Sequence, residues 1–217
     1  MYTYVFIDAS NLFYGGKKSL GWSIDHEKLT LYFKTRYQAS KIYYFGGVEI
    51  HDFPFDYNEH KTVPIKDVAN YLVNFIDMDS VNMTKEKLLL ISSHLKRIRF
   101  YIKIEGFGYN LVLKPVKTYK GDNGTDQRKA NCDVDMTFCL MRYMNYFDRV
   151  LILSGDGDFL PVLKYLRDNN KEVLILARSK RTAREIKKFA GDKFLDFEFL
   201  RTHIEFNDDD KNENTTK

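Results

Sequence analysis

The segment 151-LILSGDGDFLPVL-163 decides the fold. With Val150 before it, the run 150–153 is apolar on both faces, the pattern of a strand buried inside a parallel sheet rather than one with a wet side. Residues 154–158 are a glycine- and aspartate-rich turn, the kind of chemistry that ends a strand. A helical period then opens at Phe159 and runs to Arg167, with Pro161 in its first turn, where a missing N–H costs little. Downstream, Asn169-Asn170 turns the chain out of that helix into a second apolar run at 173–176. Upstream, a helix-period segment at 134–146 leads into the first. The same alternation continues towards the N-terminus, with apolar runs at 4–7, 42–45 and 111–116 and helical periods at 27–37 and about 68–104. Strands alternating with helices, joined by right-handed crossovers, predict a three-layer α/β/α sandwich around a central, mostly parallel sheet of five to six strands.

The chain has 217 residues, which suits one α/β domain with an insertion. Apolar residues make up 44% and charged residues 29%, so it is neither a disordered nor a fibrous sequence. No apolar run approaches the roughly 18 residues of a membrane span, and MYTYVFID at the start reads as a strand rather than a signal peptide. Cys132 and Cys139 cannot build a disulfide framework and match no zinc spacing, so the expected compartment is the reducing cytosol. Gly106 and Gly108 break the long helical region. Residues 51–63, with Pro54 at their centre and Pro64 just beyond, look irregular and open a segment, about 51–108, expected to be partly a helical insertion. Residues 121–127 read as a polar loop. The domain is expected to span 1–206, followed by a disordered polar tail at 207–217.

The formal net charge is +4. The tail sets four acids against two lysines, so the body carries 32 Lys and Arg against 26 Asp and Glu and is mildly basic. Within that body lies an acidic constellation. Ligands of an open parallel sheet sit beyond the carboxyl ends of its strands. Asp8 and Asn11 follow the first strand in 6-FIDASN-11, and Ser154, Asp156 and Asp158 follow the fourth. Asp133 and Asp135 precede the helix that leads into the fourth. Five carboxylates at one edge repel one another unless a divalent cation neutralises them. An all-oxygen set favours Mg²⁺ or Mn²⁺ over zinc. An acidic metal site in a basic body suits a phosphodiester.

FIDASN, 129-KANCDVDM-136 and LILSGDGDFLPVL resemble, in order and spacing, the three acidic motifs of the NYN-domain family of PIN-like, LabA-type nucleases. The last is the most specific. The resemblance spans about residues 4–196 and implies a PIN-like fold and metal-dependent, often endonucleolytic, ribonuclease activity. Carried over position by position, it implies Asp8, Asp133 and Asp156 as core metal ligands and Asp158 as a further ligand or one acting through water. Asn11 would orient substrate or water, with Asp135 and Ser154 in support. The family usually has a small or β-branched residue where this chain has Cys132. Residues 51–104 follow no family pattern. The implied metal would lower the pKa of an attacking water and stabilise charge on the phosphate. No Ser–His or Cys–His nucleophile is evident.

Each residue also has a plainer role. Asp133 and Asp158 could cap helices starting at Val134 and Phe159, and Asp135 would gain from the helix dipole alone. Asp8 and Asp156 are harder to dismiss, because a carboxylate at the end of a buried strand is costly without a partner. Phe138, Met141 and Met144, with Leu140 beside them, read as core packing. Basic segments that could meet RNA are Lys117, Lys120, Arg128 and Lys129 around the polar loop, and Arg178, Lys180 and Arg181 after the fifth strand. Lys96, Arg97, Arg99 and Lys103 form a third group on the long helix. Two other functions compete with the nuclease: a non-catalytic RNA-binding relative, and a phosphohydrolase with Asp8 as nucleophile. The latter usually needs a second aspartate two residues on, where this chain has Ser10. Oligomeric state is not encoded in any motif, although a second copy could extend the groove as a homodimer.

Overall fold

The computed structural model describes residues 1–15, 21–79, 82–120 and 126–206, without the side chains of 13–15, 118–120 and 126–129. β1 (Thr3–Asp8) leads into α1 (Ala9–Gly15), α2 (His26–Tyr37) and β2 (Ala39–Val48). Two helices follow, α3 (Ile65–Asp79) and α4 (Lys85–Gly106), and they return the chain to β3 (Tyr109–Pro115). A two-stranded antiparallel ribbon, β4 (Lys117–Lys120) with β5 (Asp126–Lys129), precedes α5 (Asp133–Tyr143). β6 (Arg149–Leu153), α6 (Leu160–Asp168), β7 (Glu172–Ala177), α7 (Arg184–Ala190), β8 (Phe194–Asp196) and α8 (Arg201–Ile204) complete the described chain.

The main sheet has the order β3-β2-β1-β6-β7-β8, and every pairing in it is parallel. The strands alternate between two cores. Val5, Ile7, Leu151, Leu153, Leu174 and Leu176 join Leu29, Phe33, Val68, Leu72, Ile91 and Ile98 on one face, under α2, α3 and α4. Phe6, Val150, Ile152, Val173 and Ile175 join Met136, Leu140, Leu163, Leu166 and Ile186 on the other, under α5, α6 and α7. A strand needs apolar residues at every position only when both faces are covered, so the continuous runs in the sequence have their physical cause here. The fold is the three-layer α/β/α sandwich around an all-parallel sheet that the sequence predicts.

Three details depart from the sequence expectations. The period at 68–104 divides into two helices, because Thr84 takes a non-helical conformation and its hydroxyl accepts from the Lys87 N–H at 3.2 Å, which starts α4 afresh. Of the expected polar loop, residues 121–125 lie outside the described residues, while Asp126 and Gln127 begin β5. The tail 207–217 also lies outside them. On α5 the buried face is Met136 and Leu140, whereas Val134, Phe138 and Met141 are exposed. The apolar spacing fits two stripes, and only one of them meets the sheet.

The segment 51–108 carries α3 and α4, which place Val68, Leu72, Ile91, Leu95, Ile98 and Ile104 in the core between β2 and β3. Gly108 closes α4 at φ +98, a left-handed conformation that a side chain would strain. Among the described residues, no helix is long and apolar enough to cross a membrane.

Candidate active site

From β1 the chain runs outward through β2 to β3, and from β6 it runs the opposite way to β7 and β8. The strand order therefore reverses between β1 and β6, and the crevice beyond their carboxyl ends is the switch point of the sheet. Ile7 pairs with Leu153, which brings the next residues, Asp8 and Ser154, side by side.

Asp8 is buried, 6% exposed, and five donors surround it. Oδ1 accepts from the Ser10 N–H at 2.9 Å, the Ser10 hydroxyl at 2.6 Å and the Asn11 N–H at 3.4 Å. Oδ2 accepts from the Ser154 hydroxyl at 3.2 Å and from Asn11 Nδ2 at 3.5 Å. Donors of this kind offset the cost of burying the carboxylate. Asn11 bridges the two strand ends: its Nδ2 donates to Ser154 Oγ at 3.1 Å, and its Oδ1 accepts from the Gly155 N–H at 3.3 Å. The Asp156 N–H donates to Ser154 Oγ at 3.3 Å. One connected network thus holds Asp8, Asn11, Ser154 and Asp156.

The capping roles differ from those expected. Asp156, not Asp158, caps the short turn Gly157–Phe159, accepting from the Asp158 N–H at 3.0 Å through Oδ1. Asp158 is exposed. Asp133 is the first residue of α5 rather than its cap, and its N–H donates to Asn131 Oδ1 at 3.1 Å. Asp135 is held by Lys114, whose Nζ lies 2.7 Å from Oδ2. Burial alone would lower the Lys114 pKa, but this hydrogen bond and the Asp135 charge outweigh it and raise it. Cys132 lies in the field of this whole group. Burial first, then Asp135, Asp8 and Asp133, push its thiol up to about 12, which keeps it protonated and inert.

Two residues of the site escaped the sequence reading. Thr182 is buried against Gly155, where a Cβ would stand 2.6 Å from Thr182 Oγ1 and 2.9 Å from its Cα. Glu185, at the start of α7, places its carboxylate where a Cβ on Gly157 would collide with it. Gly155 is therefore required by close approach to the Thr182 backbone, whereas the Glu185 carboxylate opposite Gly157 ends a flexible side chain that can swing aside; Glu185 adds another acid to the edge. Its signal was available: it lies shortly after a strand's carboxyl end, hidden among the basic residues 178–188. Arg178 leaves β7 and, with Asn11, Leu12 and Phe197, lines a cavity of ≈ 20 Å³ beside the network. Lys180 and Arg181 follow on the exposed turn Ser179–Arg181. Lys117 stands opposite Lys129 in the ribbon, while the side chains of Lys120, Arg128 and Lys129 lie outside the description.

An all-parallel α/β/α sandwich with an acidic switch point defines the class. Within it the chain belongs to the NYN domain family, whose model matches residues 71–198. That span contains the segments 129–136 and 151–163, and FIDASN lies before it. The chain is 21% identical over 205 residues to the Low amplitude and bright protein LabA of Synechococcus elongatus, a match covering 93% of this chain and 86% of that protein. The crystal structure of a Vibrio parahaemolyticus protein of unknown function shares the fold, with a TM-score of 0.59 at 16% identity. That likeness covers 94% of this chain and 96% of the other.

Proposed function

We propose that this protein is a metal-dependent ribonuclease, acting endonucleolytically, with Asp8 at the centre of an Mg²⁺ or Mn²⁺ site. Membership of the NYN family supports a nuclease-like, nucleic-acid-directed function. The observation that carries the finer reading is the buried Asp8 carboxylate, tied through Ser154 and Asn11 to the 154–158 turn at the one crevice where the strand order reverses. The free cysteines suit a cytosolic setting.

The donor chemistry fits a hard cation: every candidate ligand is a carboxylate or a neutral oxygen. Among the described residues no three His, Cys, Asp or Glu side chains stand close enough together to hold a metal ion between them. Mg²⁺ does not require three, because it takes one or two carboxylates, keeps several waters and shares the phosphate of its substrate. Asp8 with Asp156 would hold it, with Asp133 and Asp158 acting through its waters. When bound, the metal supplies water activation and charge neutralisation at the phosphate. The chain's own residues do the rest. Asn11 locks the two strand ends in register, so the Asp8 and Asp156 carboxylates keep a fixed separation. Arg178, Lys180 and Arg181 offer positive charge to the phosphates on one side, and Lys117 does so on the other.

Binding can be read without catalysis. In Mn²⁺ at a hundred times its dissociation constant, the protein gains about 2.7 kcal/mol of stability. For a domain of this size the melting temperature then rises roughly 5–10 °C. The Asp8→Asn/Asp156→Asn variant should show no rise. Equal melting of the wild type in Mn²⁺ and in EDTA would remove the metal from the reading. One observation favours a second reading, RNA binding without cleavage: both oxygens of Asp8 already accept hydrogen bonds from the chain itself.

A further inference from the structure

The loop leaving β2 carries a feature that the acidic edge does not explain. Its far end is pinned to the open edge of β3. The Leu113 N–H donates to Thr62 Oγ1 at 2.8 Å, and the Val63 N–H donates to the Leu113 carbonyl at 3.0 Å. Residues 55–61 and the end of β3 then wall a cleft of ≈ 350 Å³. That lies within the range of small-ligand pockets, about 300–1,000 Å³.

One wall is aromatic. Phe55, half-buried, meets Tyr57 edge-on with ring centroids 4.8 Å apart and stacks on His60 at 5.7 Å and 24°. The Tyr57 ring is thereby braced from behind while 51% of the residue stays exposed. The other wall is basic. Lys61 and Lys117 line it, and the Lys117 ammonium lies 5.3 Å from the Tyr57 ring centroid. The negative charge of Asp135 in this cleft is matched by Lys114. Asp56, at the rim, accepts from its own turn through the Asn58 N–H at 2.7 Å. Asn131, which lines the cleft, also accepts from the Asp133 N–H, so the cleft adjoins the start of α5.

A braced aromatic face beside lysines is what an unstacked base and its flanking phosphates need. A base paired in a duplex has no free face to offer. We propose that this cleft seats one unstacked base of a single-stranded RNA on Tyr57, with Lys61 and Lys117 on the adjoining phosphates. The identity of the strand as substrate rests on the nuclease reading above, whereas its binding here does not.

The test is fluorescence anisotropy of a labelled single-stranded RNA in EDTA, where no metal chemistry runs. Tyr57→Ala should bind about 5- to 150-fold more weakly than wild type, and Tyr57→Phe should bind like it. Lys61→Ala/Lys117→Ala should weaken binding and flatten its salt dependence. Duplex RNA should be indifferent to Tyr57. Single-stranded DNA losing affinity in parallel would support the same subsite, since base and phosphate are what it reads. Wild-type affinity in Tyr57→Ala would overturn it, as would an equal loss on duplex. The two readings also fail separately. RNA bound through Tyr57 but never cut keeps the subsite and removes the nuclease. RNA cut normally and bound equally by Tyr57→Ala does the reverse.

Discussion

Asp8→Asn should reduce RNA cleavage on the order of 10²- to 10³-fold while leaving the protein folded. The separation follows from the donor pattern around this residue. An asparagine oxygen still accepts from the Ser10 N–H and hydroxyl and from the Asn11 N–H. Its amide replaces Oδ2 and loses the Ser154 hydroxyl, whose two lone pairs already accept from Asn11 Nδ2 and the Asp156 N–H, and the 3.5 Å contact with Asn11 Nδ2 becomes donor against donor. The folding cost is therefore that of two hydrogen bonds, about 2 kcal/mol, or roughly 4–8 °C in melting temperature, which leaves the domain folded. What disappears is the charge. Cleavage rates and thermal melts of the same preparation check the split, and a variant that cuts RNA at the wild-type rate would remove Asp8 from the chemistry.

The second large effect lies away from the site and concerns pH. His26, at the start of α2, sits edge-on among the rings of Tyr44, Phe100 and Tyr109, at centroid distances of 6.0, 5.0 and 5.8 Å. Burial disfavours its charged form and outweighs the pull of Asp25, lowering its pKa from 6.5 to about 4. Between those two values the unfolded chain binds a proton that the folded one refuses. Stability therefore stays whole above pH 6.5, falls as the pH drops towards 4, and loses nothing more from this group below that. The loss amounts to about 3 kcal/mol. Denaturant unfolding from pH 7 to pH 4 should show this slope in the wild type. In His26→Leu the slope should be smaller by that amount. An unchanged slope would mean that His26 takes up its proton without leaving the core.

Much of this architecture can be read before any coordinates, because burial on both faces writes itself into a sequence. The runs at 4–7, 150–153 and 173–176 are apolar without alternation, and only a covered parallel strand needs that. What escaped was written in weaker signals. Phe194–Asp196 is too short for any period to be visible. The ribbon Lys117–Lys120 with Asp126–Lys129 is polar throughout, so its strands look like a loop. On α5 the spacing of Phe138 and Met141 is helical, but spacing alone does not say which of two stripes meets the sheet.

The site divides in the same way. Asp8, Asn11, Ser154 and Asp156 follow strand ends directly, so topology alone gathers them. Thr182, just before α7, and Glu185, in its first turn, arrive after an intervening turn and stand among basic residues that mask them in the sequence. Asp156 caps in place of Asp158 because the chain makes a tight turn before α6 begins. Residues 51–63 carried no pattern at all. Their aromatic wall forms only when Thr62 and Val63 pin the loop to β3.

The most direct measurement is cleavage of end-labelled single-stranded and hairpin RNA, beside matching DNA, by the wild-type protein in Mg²⁺, Mn²⁺ or EDTA. The expected result is RNA products that require metal and vanish in Asp8→Asn/Asp156→Asn. RNA that is bound equally in metal and in EDTA, and recovered intact from both, would contradict it.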